Sequence, residues 1–209
     1  MHFAKLLIVG AGGFGRELAG WAQHAVGGPY EVIGFLDRNP LALSKFLTCP
    51  PVLGTPDSYS PVPDVALVAA IGSPSVKRAV CEPLLARGAH FLTLIHPSAS
   101  IGPRCAVGDG TIICPSVVVT CDVSIGRCVA LNVASTVGHD ARIGDWCTAS
   151  AHCDVTGHAI LEDCSFLGSH FVVLPGKRVG PHATVGAGSV VVRDVPAGTT
   201  VFGVPARSI

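Results

Sequence analysis

The spacing of apolar residues changes once along the chain. Up to residue 94, short apolar runs alternate with stretches whose apolar residues recur at helical spacing. The apolar runs predict four strands, Lys5–Val9, Glu31–Leu36, Val65–Ile71 and Phe91–Ile95. The helical spacing predicts two helices, Arg16–Ala25 and Ser75–Arg87. This alternation favours a small parallel β-α-β sheet. The proline- and serine-rich segment 38–63 is expected to be mostly loop.

A period of six residues begins after residue 94. From Ile95 to Val191 every sixth residue is aliphatic, and all of these seventeen positions are Ile, Val or Leu except Ala149. No helix or ordinary strand has this period, so the segment is a repeat. Three such units fit one coil of a three-sided prism, and stacked coils bury the aliphatic columns against each other. The sequence therefore predicts that residues 18 apart stack.

The repeat and the closing Gly-Val-Pro-Ala at Gly203–Ala206 resemble the hexapeptide-repeat acyltransferases. This resemblance implies a left-handed parallel β-helix that assembles as a homotrimer. We therefore expect two domains: an α/β, Rossmann-like half domain over residues 1–94, and a left-handed parallel β-helix with a C-terminal tail over residues 95–209.

Composition excludes several classes of partner. Fourteen basic and fourteen acidic residues balance, which leaves no net charge for nonspecific binding of nucleic acid or anionic lipid. No apolar run reaches the roughly 20 residues of a membrane span, and no leader-cleavage pattern appears. We expect a cytoplasmic protein with small-molecule partners. The nine cysteines form no C-x-x-C pair, so they are expected to be reduced and buried, and no metal site is expected.

A glycine-rich motif follows the first predicted strand. Gly10, Gly12 and Gly15 form G-x-G-x-x-G, and Asp37 ends the next predicted strand. This is the dinucleotide fingerprint, which makes a dehydrogenase the rival interpretation. The α/β section has room for only one of the two mononucleotide halves, however. We therefore interpret the motif as a phosphate cradle for one nucleotide, with a turn that only shapes the domain as the alternative.

His139 is the candidate for chemistry in the repeat. It follows Gly138 at a predicted turn of the coil, and the 18-residue register places Cys121 and Gly157 beside it. A glycine there is expected to leave open space for a ligand. Imidazole titrates near neutral pH, so it can accept the proton of an amine or hydroxyl that attacks a thioester.

Together the two segments resemble the nucleotide-amino-sugar N-acetyltransferases and the sialic acid-type O-acetyltransferases. The resemblance makes His139 the general base and Asp140 its helper. It further implies that Asn132 contacts the acceptor and that acetyl-CoA lies in a groove between subunits, formed by Gly157, Gly186 and Ala187. The nucleotide cradle implied by the resemblance consists of Gly10, Gly12, Gly13, Phe14, Gly15 and Asp37.

This chain departs from some relatives at two positions, since Phe14 and Thr148 stand where those relatives have histidine. The identity of the acceptor is therefore open, and His152, His158 and His170 have no assigned role. We expect acetyl-CoA-dependent N-acetylation of a nucleotide-linked amino sugar, a precursor of a surface glycan. The alternatives are O-acetylation of a sialic acid and a noncatalytic scaffold that binds a sugar nucleotide.

Overall fold

A parallel sheet with two helices forms the first part of the chain in the computed structural model, which describes residues 5–209. Its four strands lie in the order β3-β2-β1-β4, and a short 3-10 helix, Ala22–His24, follows the first helix. The elements are β1 (Lys5–Val9), α1 (Gly13–Trp21), β2 (Glu31–Leu36), β3 (Val52–Gly54), β4 (Val65–Ala69) and α2 (Pro74–Ala86). The predicted α/β unit is confirmed.

Several element boundaries differ from the prediction. The helix α1 begins at Gly13 rather than Arg16, because the glycine-rich turn itself enters the helix. The strand β3 lies inside the segment predicted as loop. It spans only Val52–Gly54, at the edge of the sheet, which is too short for an apolar pattern to reveal.

The predicted strand Phe91–Ile95 is wrong as one element. Phe91 makes an isolated parallel bridge to Leu67 beside the α/β sheet. Leu94–Ile95 instead forms the first strand of the following architecture. The apolar pattern of residues 91–95 does not show the point at which the chain leaves one sheet for another.

The rest of the chain is a parallel β-helix with three faces. Its strands are two or three residues long, and they form one sheet of eight strands, one of six and one of five. The first sheet contains Leu94–Ile95, Ile112–Ile113, Ala130–Leu131, Thr148–Ala149, Phe166–Leu167, Thr184–Val185, Thr200–Phe202 and the antiparallel Arg207–Ser208. The second contains Ser100–Ile101, Val118–Val119, Thr136–Val137, Asp154–Val155, Val172–Val173 and Val190–Val191. The third contains Ala106–Val107, Ser124–Ile125, Arg142–Ile143, Ile160–Leu161 and Arg178–Val179.

The predicted 18-residue stacking is confirmed by strand pairing. Ile125 pairs with Ile143, and Val137 pairs with Val155. Every aliphatic position of the register from Ile113 to Val191 is buried, whereas Ile95, Ile101 and Val107 in the first coil are half-buried. The columns of aliphatic side chains are therefore the core of the β-helix.

Three corners join the faces, and each is a stack of turns. The His139 corner contains turns 120–123, 138–141 and 156–159, and the α/β-facing corner contains turns 126–129, 144–147 and 162–165. The Asn132 corner contains turns 132–135, 150–153, 168–171 and 186–189. Cys128, Trp146 and Cys164 of the α/β-facing corner share a hydrophobic cluster with Cys81 and Phe91, which attaches the α/β domain to this corner.

A buried lysine joins the two domains. Lys77 of α2 is 1% exposed, and its Nζ donates to the Cys147 carbonyl and to Thr148 Oγ1, both at 3.1 Å. Neither partner is a carboxylate. Burial therefore lowers the pKa of Lys77 from 10.5 to about 8.

The cysteines are free thiols. Six of the nine are buried, as expected, and Cys49, Cys105 and Cys121 are half-buried. Burial raises the pKa of Cys81 and Cys153 to about 12, so these thiols stay protonated. None of the helices within residues 5–209 has the length and apolar character that a membrane span needs.

Replacing Lys77 with methionine should change how stability depends on pH. Between pH 8 and 10.5 the unfolded wild-type chain binds more protons at Lys77 than the folded chain does. The free energy of unfolding of the wild type, relative to Lys77→Met, should thus rise across this interval, by about 3 kcal/mol. Urea unfolding of both proteins at a series of pH values measures the difference, in which the cysteine titration common to the two unfolded chains cancels. A difference that does not change with pH would contradict a depressed lysine pKa.

Candidate active site

In the glycine-rich turn, Gly10 and Gly15 pack closely against neighbouring atoms, whereas Gly12 and Gly13 have free space beside them. Gly10 has φ +103°, and a Cβ added there would lie 2.9 Å from the Ala70 carbonyl oxygen. A Cβ on Gly15 would overlap the backbone of Gly10, where helix and strand cross. Nothing lies within 4 Å of a Cβ on Gly12, and only Arg16 approaches one on Gly13. The turn is thus closed towards the sheet and open on its outer side.

The open side of this turn is the N-terminus of α1. Gly12 is the N-cap, no side chain caps the helix, and its first turn has no acidic residue. Backbone N–H groups at such an end are unsatisfied within the helix and favour an anion. The half-buried side chain of Phe14 packs against the hydrophobic core.

Asp37 fixes the neighbouring loop. Its Oδ2 accepts a hydrogen bond from the Ala11 N–H and its Oδ1 accepts one from the Asn39 N–H, both at 2.8 Å. The carboxylate therefore shapes the turn, and each oxygen keeps acceptor capacity for a ligand. A cavity of about 230 Å³ opens here, walled by Asp37, Arg38 and the apolar side chains of Ile71 and Val76.

At the His139 corner, two sequence neighbours form a dyad. His139 Nδ1 and Asp140 Oδ2 lie 2.8 Å apart, and the two side chains are 57% and 48% exposed. Adjacent residues of a strand point in opposite directions, but Asp140 has φ +59°, which turns its carboxylate towards the imidazole. A carboxylate can only accept in this contact, so the neutral ring donates from Nδ1 and its Nε2 keeps a lone pair that can accept a proton.

Gly157 lies directly beneath this imidazole. A Cβ at Gly157 would be 2.7 Å from His139 Nε2 and 2.8 Å from Cε1. The space expected beside the glycine for a ligand is therefore filled by the imidazole itself, which corrects that prediction. Glycine at this position is needed for the dyad to form.

His158 is a neighbour that the prediction left without a role. Its ring stands edge-on to that of His139 with centroids 5.1 Å apart, and its Nε2 lies 3.8 Å from Asp140 Oδ2. Asp140 is thus flanked by two imidazoles. The 18-residue register held the signal, because position 158 stacks on position 140.

The other predicted site residues lie at the Asn132 corner. The Asn132 Oδ1 accepts a hydrogen bond from the Val133 N–H at 2.7 Å. Gly186 packs beneath Phe202 of the C-terminal tail, and Ala187 lies over Gly168. His152 and His170 stack nearly parallel at the same corner, with centroids 4.8 Å apart. Within the chain these residues and His139 occupy different corners, and their predicted roles remain proposals.

Comparisons with known proteins agree with this architecture. The family model described as the PglD N-terminal domain matches residues 5–84. The chain is 33% identical over 146 residues to GDP-perosamine N-acetyltransferase of Escherichia coli O157:H7, a match that covers 67% of this chain and 66% of that enzyme. The acetyltransferase domain of PglB from Neisseria gonorrhoeae FA1090, in complex with acetyl coenzyme A, superposes with a TM-score of 0.88 at 31% identity, over 99% of this chain and 100% of that one.

The chain belongs to the hexapeptide-repeat acetyltransferase family. This membership confirms the left-handed β-helix that the resemblance implied. PerB from Caulobacter crescentus, in a structure with CoA and GDP-perosamine, superposes with a TM-score of 0.86 at 28% identity, over 98% of this chain and 97% of that one. In this family context the His139–Asp140 dyad is the candidate proton acceptor.

Replacing Gly157 with alanine should displace the imidazole of His139. The added Cβ would occupy the position of the edge of the His139 ring. The hydrogen bond from His139 Nδ1 to Asp140 should therefore be lost while the coil stays folded. Long-range ¹H–¹⁵N spectra report the tautomer, and the fraction of His139 with its neutral proton on Nδ1 should fall.

Gly20→Ala is the matched control, because nothing lies within 4 Å of a Cβ at Gly20. This variant should leave the tautomer of His139 unchanged. If Gly157→Ala also leaves it unchanged, the imidazole does not depend on the glycine beneath it.

Proposed function

We propose that this protein transfers the acetyl group of acetyl-CoA to the amino group of a nucleotide-linked amino sugar. The observation that carries the proposal is the His139–Asp140 dyad, with Nε2 free to accept a proton, at an exposed corner of a β-helix of this family. The relatives named above bind acetyl-CoA, or CoA with GDP-perosamine, which supports these two substrate classes.

The proposed reaction needs one base and no covalent enzyme intermediate. The lone pair of the neutral sugar amine attacks the thioester carbonyl carbon while His139 Nε2 accepts a proton from the nitrogen. The carbon–sulfur bond then breaks, and the CoA thiolate leaves and takes up the proton from the His139 imidazolium, which restores the neutral base. Asp140 stabilises the imidazolium and keeps the ring oriented, as the carboxylate of a catalytic triad does.

The glycine-rich turn is the proposed site for the diphosphate of the acceptor. The uncapped N-terminus of α1 supplies N–H donors and a favourable dipole, and the open faces of Gly12 and Gly13 admit a phosphate. The cavity beside Asp37 and Ile71 offers apolar walls for the base and polar groups for its edges or for the ribose.

We infer that the working enzyme is a homotrimer whose sites combine two subunits. The carboxyl edge of the α/β sheet meets the α/β-facing corner at a cavity of about 640 Å³, lined by Gly72, Ser73, Cys164 and His182. His139 stands at a different corner. A nucleotide held by one subunit would therefore present its sugar to His139 of the next, and the Asn132 corner would border the acetyl-CoA groove between them.

Replacing His139 with asparagine should lower kcat by roughly 10²–10⁴-fold, since the amide offers no base. The KM for acetyl-CoA should stay within about twofold of the wild-type value, because His139 is placed at the reacting atoms rather than on the coenzyme. His24→Asn, on the 3-10 helix of the α/β domain, is the control and should retain wild-type kcat.

The acceptor panel for this assay consists of UDP-, dTDP- and GDP-linked 4-amino sugars together with free sialic acid. Turnover of at least one amino-sugar nucleotide is expected. Turnover of sialic acid alone would refute N-acetylation, and tight acetyl-CoA binding without turnover of any acceptor would favour a scaffold. Near wild-type kcat in His139→Asn would remove this residue from the mechanism.

The cradle can be tested by the isosteric pair Gly12→Asp and Gly12→Asn. Both residues are good N-caps and the backbone at Gly12 has φ −76°, so both variants should fold. The carboxylate would repel the diphosphate, so the KM for the nucleotide sugar should be about tenfold higher or more in the Asp variant than in the Asn variant. The KM for acetyl-CoA should be equal in the two. Equal KM values for the nucleotide sugar would place the diphosphate elsewhere.

A further inference from the structure

We propose that His139, Asp140 and His158 form a binding site for a divalent transition-metal ion such as Zn²⁺, and that the bound ion switches off the base. The inhibitory consequence rests on the function proposed above. The binding itself rests only on the geometry of the three side chains.

The three side chains already converge. One ligand atom from each lies within 4.8 Å of the other two, and within residues 5–209 no other group of three such residues does so. The His139 Nδ1 to Asp140 Oδ2 distance is 2.8 Å, and the His158 Nε2 to Asp140 Oδ2 distance is 3.8 Å. Ligand atoms about 2 Å from a tetrahedral Zn²⁺ lie roughly 3.3 Å apart, so small rotations of exposed side chains complete the site.

The donor set selects the class of metal. Two imidazole nitrogens and one carboxylate oxygen suit Zn²⁺, Co²⁺ or Ni²⁺, whereas Mg²⁺ and Ca²⁺ prefer sites made of oxygen alone. Three protein ligands leave the fourth tetrahedral position to water. All three side chains are about half exposed or more, so an ion can reach them from solvent.

Metal binding at Nδ1 would remove the base without changing the charge of the ring. The neutral imidazole now holds its proton on Nδ1, because Asp140 accepts a hydrogen bond from it. An ion bonded to the Nδ1 lone pair requires that proton to move to Nε2. The Nε2–H group is then a donor and has no lone pair for the proton of the amine. Asp140 would be bonded to the metal and would no longer orient the imidazole.

The binding experiment uses the full chain without substrates. Co²⁺ added to the metal-free protein should give the visible absorption of a tetrahedral ion, and calorimetry with Zn²⁺ should show one site per chain. His158→Asn removes one ligand and should weaken Zn²⁺ binding by tenfold or more. His152→Asn removes a histidine of the stacked pair at another corner and should bind like the wild type.

The inhibition experiment compares the same proteins in the acetyl-transfer assay. With chelator present, His158→Asn should retain wild-type kcat, because His158 is not assigned to the acetyl-transfer step. Added Zn²⁺ should inhibit the wild type and His152→Asn at concentrations that leave His158→Asn active, and chelator should reverse the effect.

Each result decides one part of the proposal. Absence of the tetrahedral Co²⁺ spectrum, or equal Zn²⁺ affinity in wild type and His158→Asn, would overturn the site. Binding at the site without inhibition would overturn the switch. Because the spectrum is recorded without substrates, a protein that acetylates nothing would refute the proposed function and leave the metal site supported.

Discussion

The stacking of each coil on the next, in a fixed register of 18 residues, is the constraint on which the rest of this molecule depends. Parallel pairs such as Ile125 with Ile143 bury the aliphatic columns, and every turn is thereby aligned with the turn below it. The register leaves no freedom to shift one coil, since a slip of one residue would turn aliphatic side chains outward. The corners are consequently rigid ladders on which single side chains have fixed neighbours.

This rigidity explains how an ordinary-looking His-Asp pair becomes a candidate site. The ladder places Gly157 beneath the ring of His139, where any larger residue would collide with it, and places His158 beside Asp140. The left-handed backbone conformation of Asp140 then brings its carboxylate to Nδ1. The glycine beneath the ring and the turn at Asp140, rather than a deep pocket, thus fix the orientation and the tautomer of the imidazole.

The α/β domain is attached to a different corner, through a cluster that includes Cys128 and Trp146 and through the buried Lys77. This attachment fixes where a nucleotide would be held relative to the β-helix. It also makes Thr148 a hydrogen-bond partner of Lys77. The residue that stands where some relatives have histidine therefore has a structural role in this chain. The proposed cradle and the proposed base are therefore separated within each chain, and this separation is the reason for proposing an active site shared between subunits.

The sequence predicted the repeat and its register well, because one aliphatic column demands the same residue type at every sixth position from Ile95 to Val191. The strand β3 and the division of the run at Phe91–Ile95 could not be predicted, since apolar runs do not show which sheet they join. The contact of His139 with Asp140 was expected from the family resemblance, but its cause, the turn at Asp140, is a backbone property. Lys77 lies on the buried face of α2 with Pro74, Cys81 and Leu84. Its helical spacing from these residues indicated burial, but a charged residue is normally expected on the exposed face.

The central claim, a base and a nucleotide cradle contributed by different subunits, is tested most directly by mixing two impaired chains. His139→Asn keeps an intact cradle, and Gly12→Asp keeps an intact base. Coexpressed in equal amounts and assayed at nucleotide-sugar concentrations below the KM, they should regain about a quarter of the wild-type activity, since random trimers pair one intact cradle with one intact base in that fraction of interfaces. Activity of the mixture that stays at the average of the two separate variants would contradict a shared site and place cradle and base within one chain.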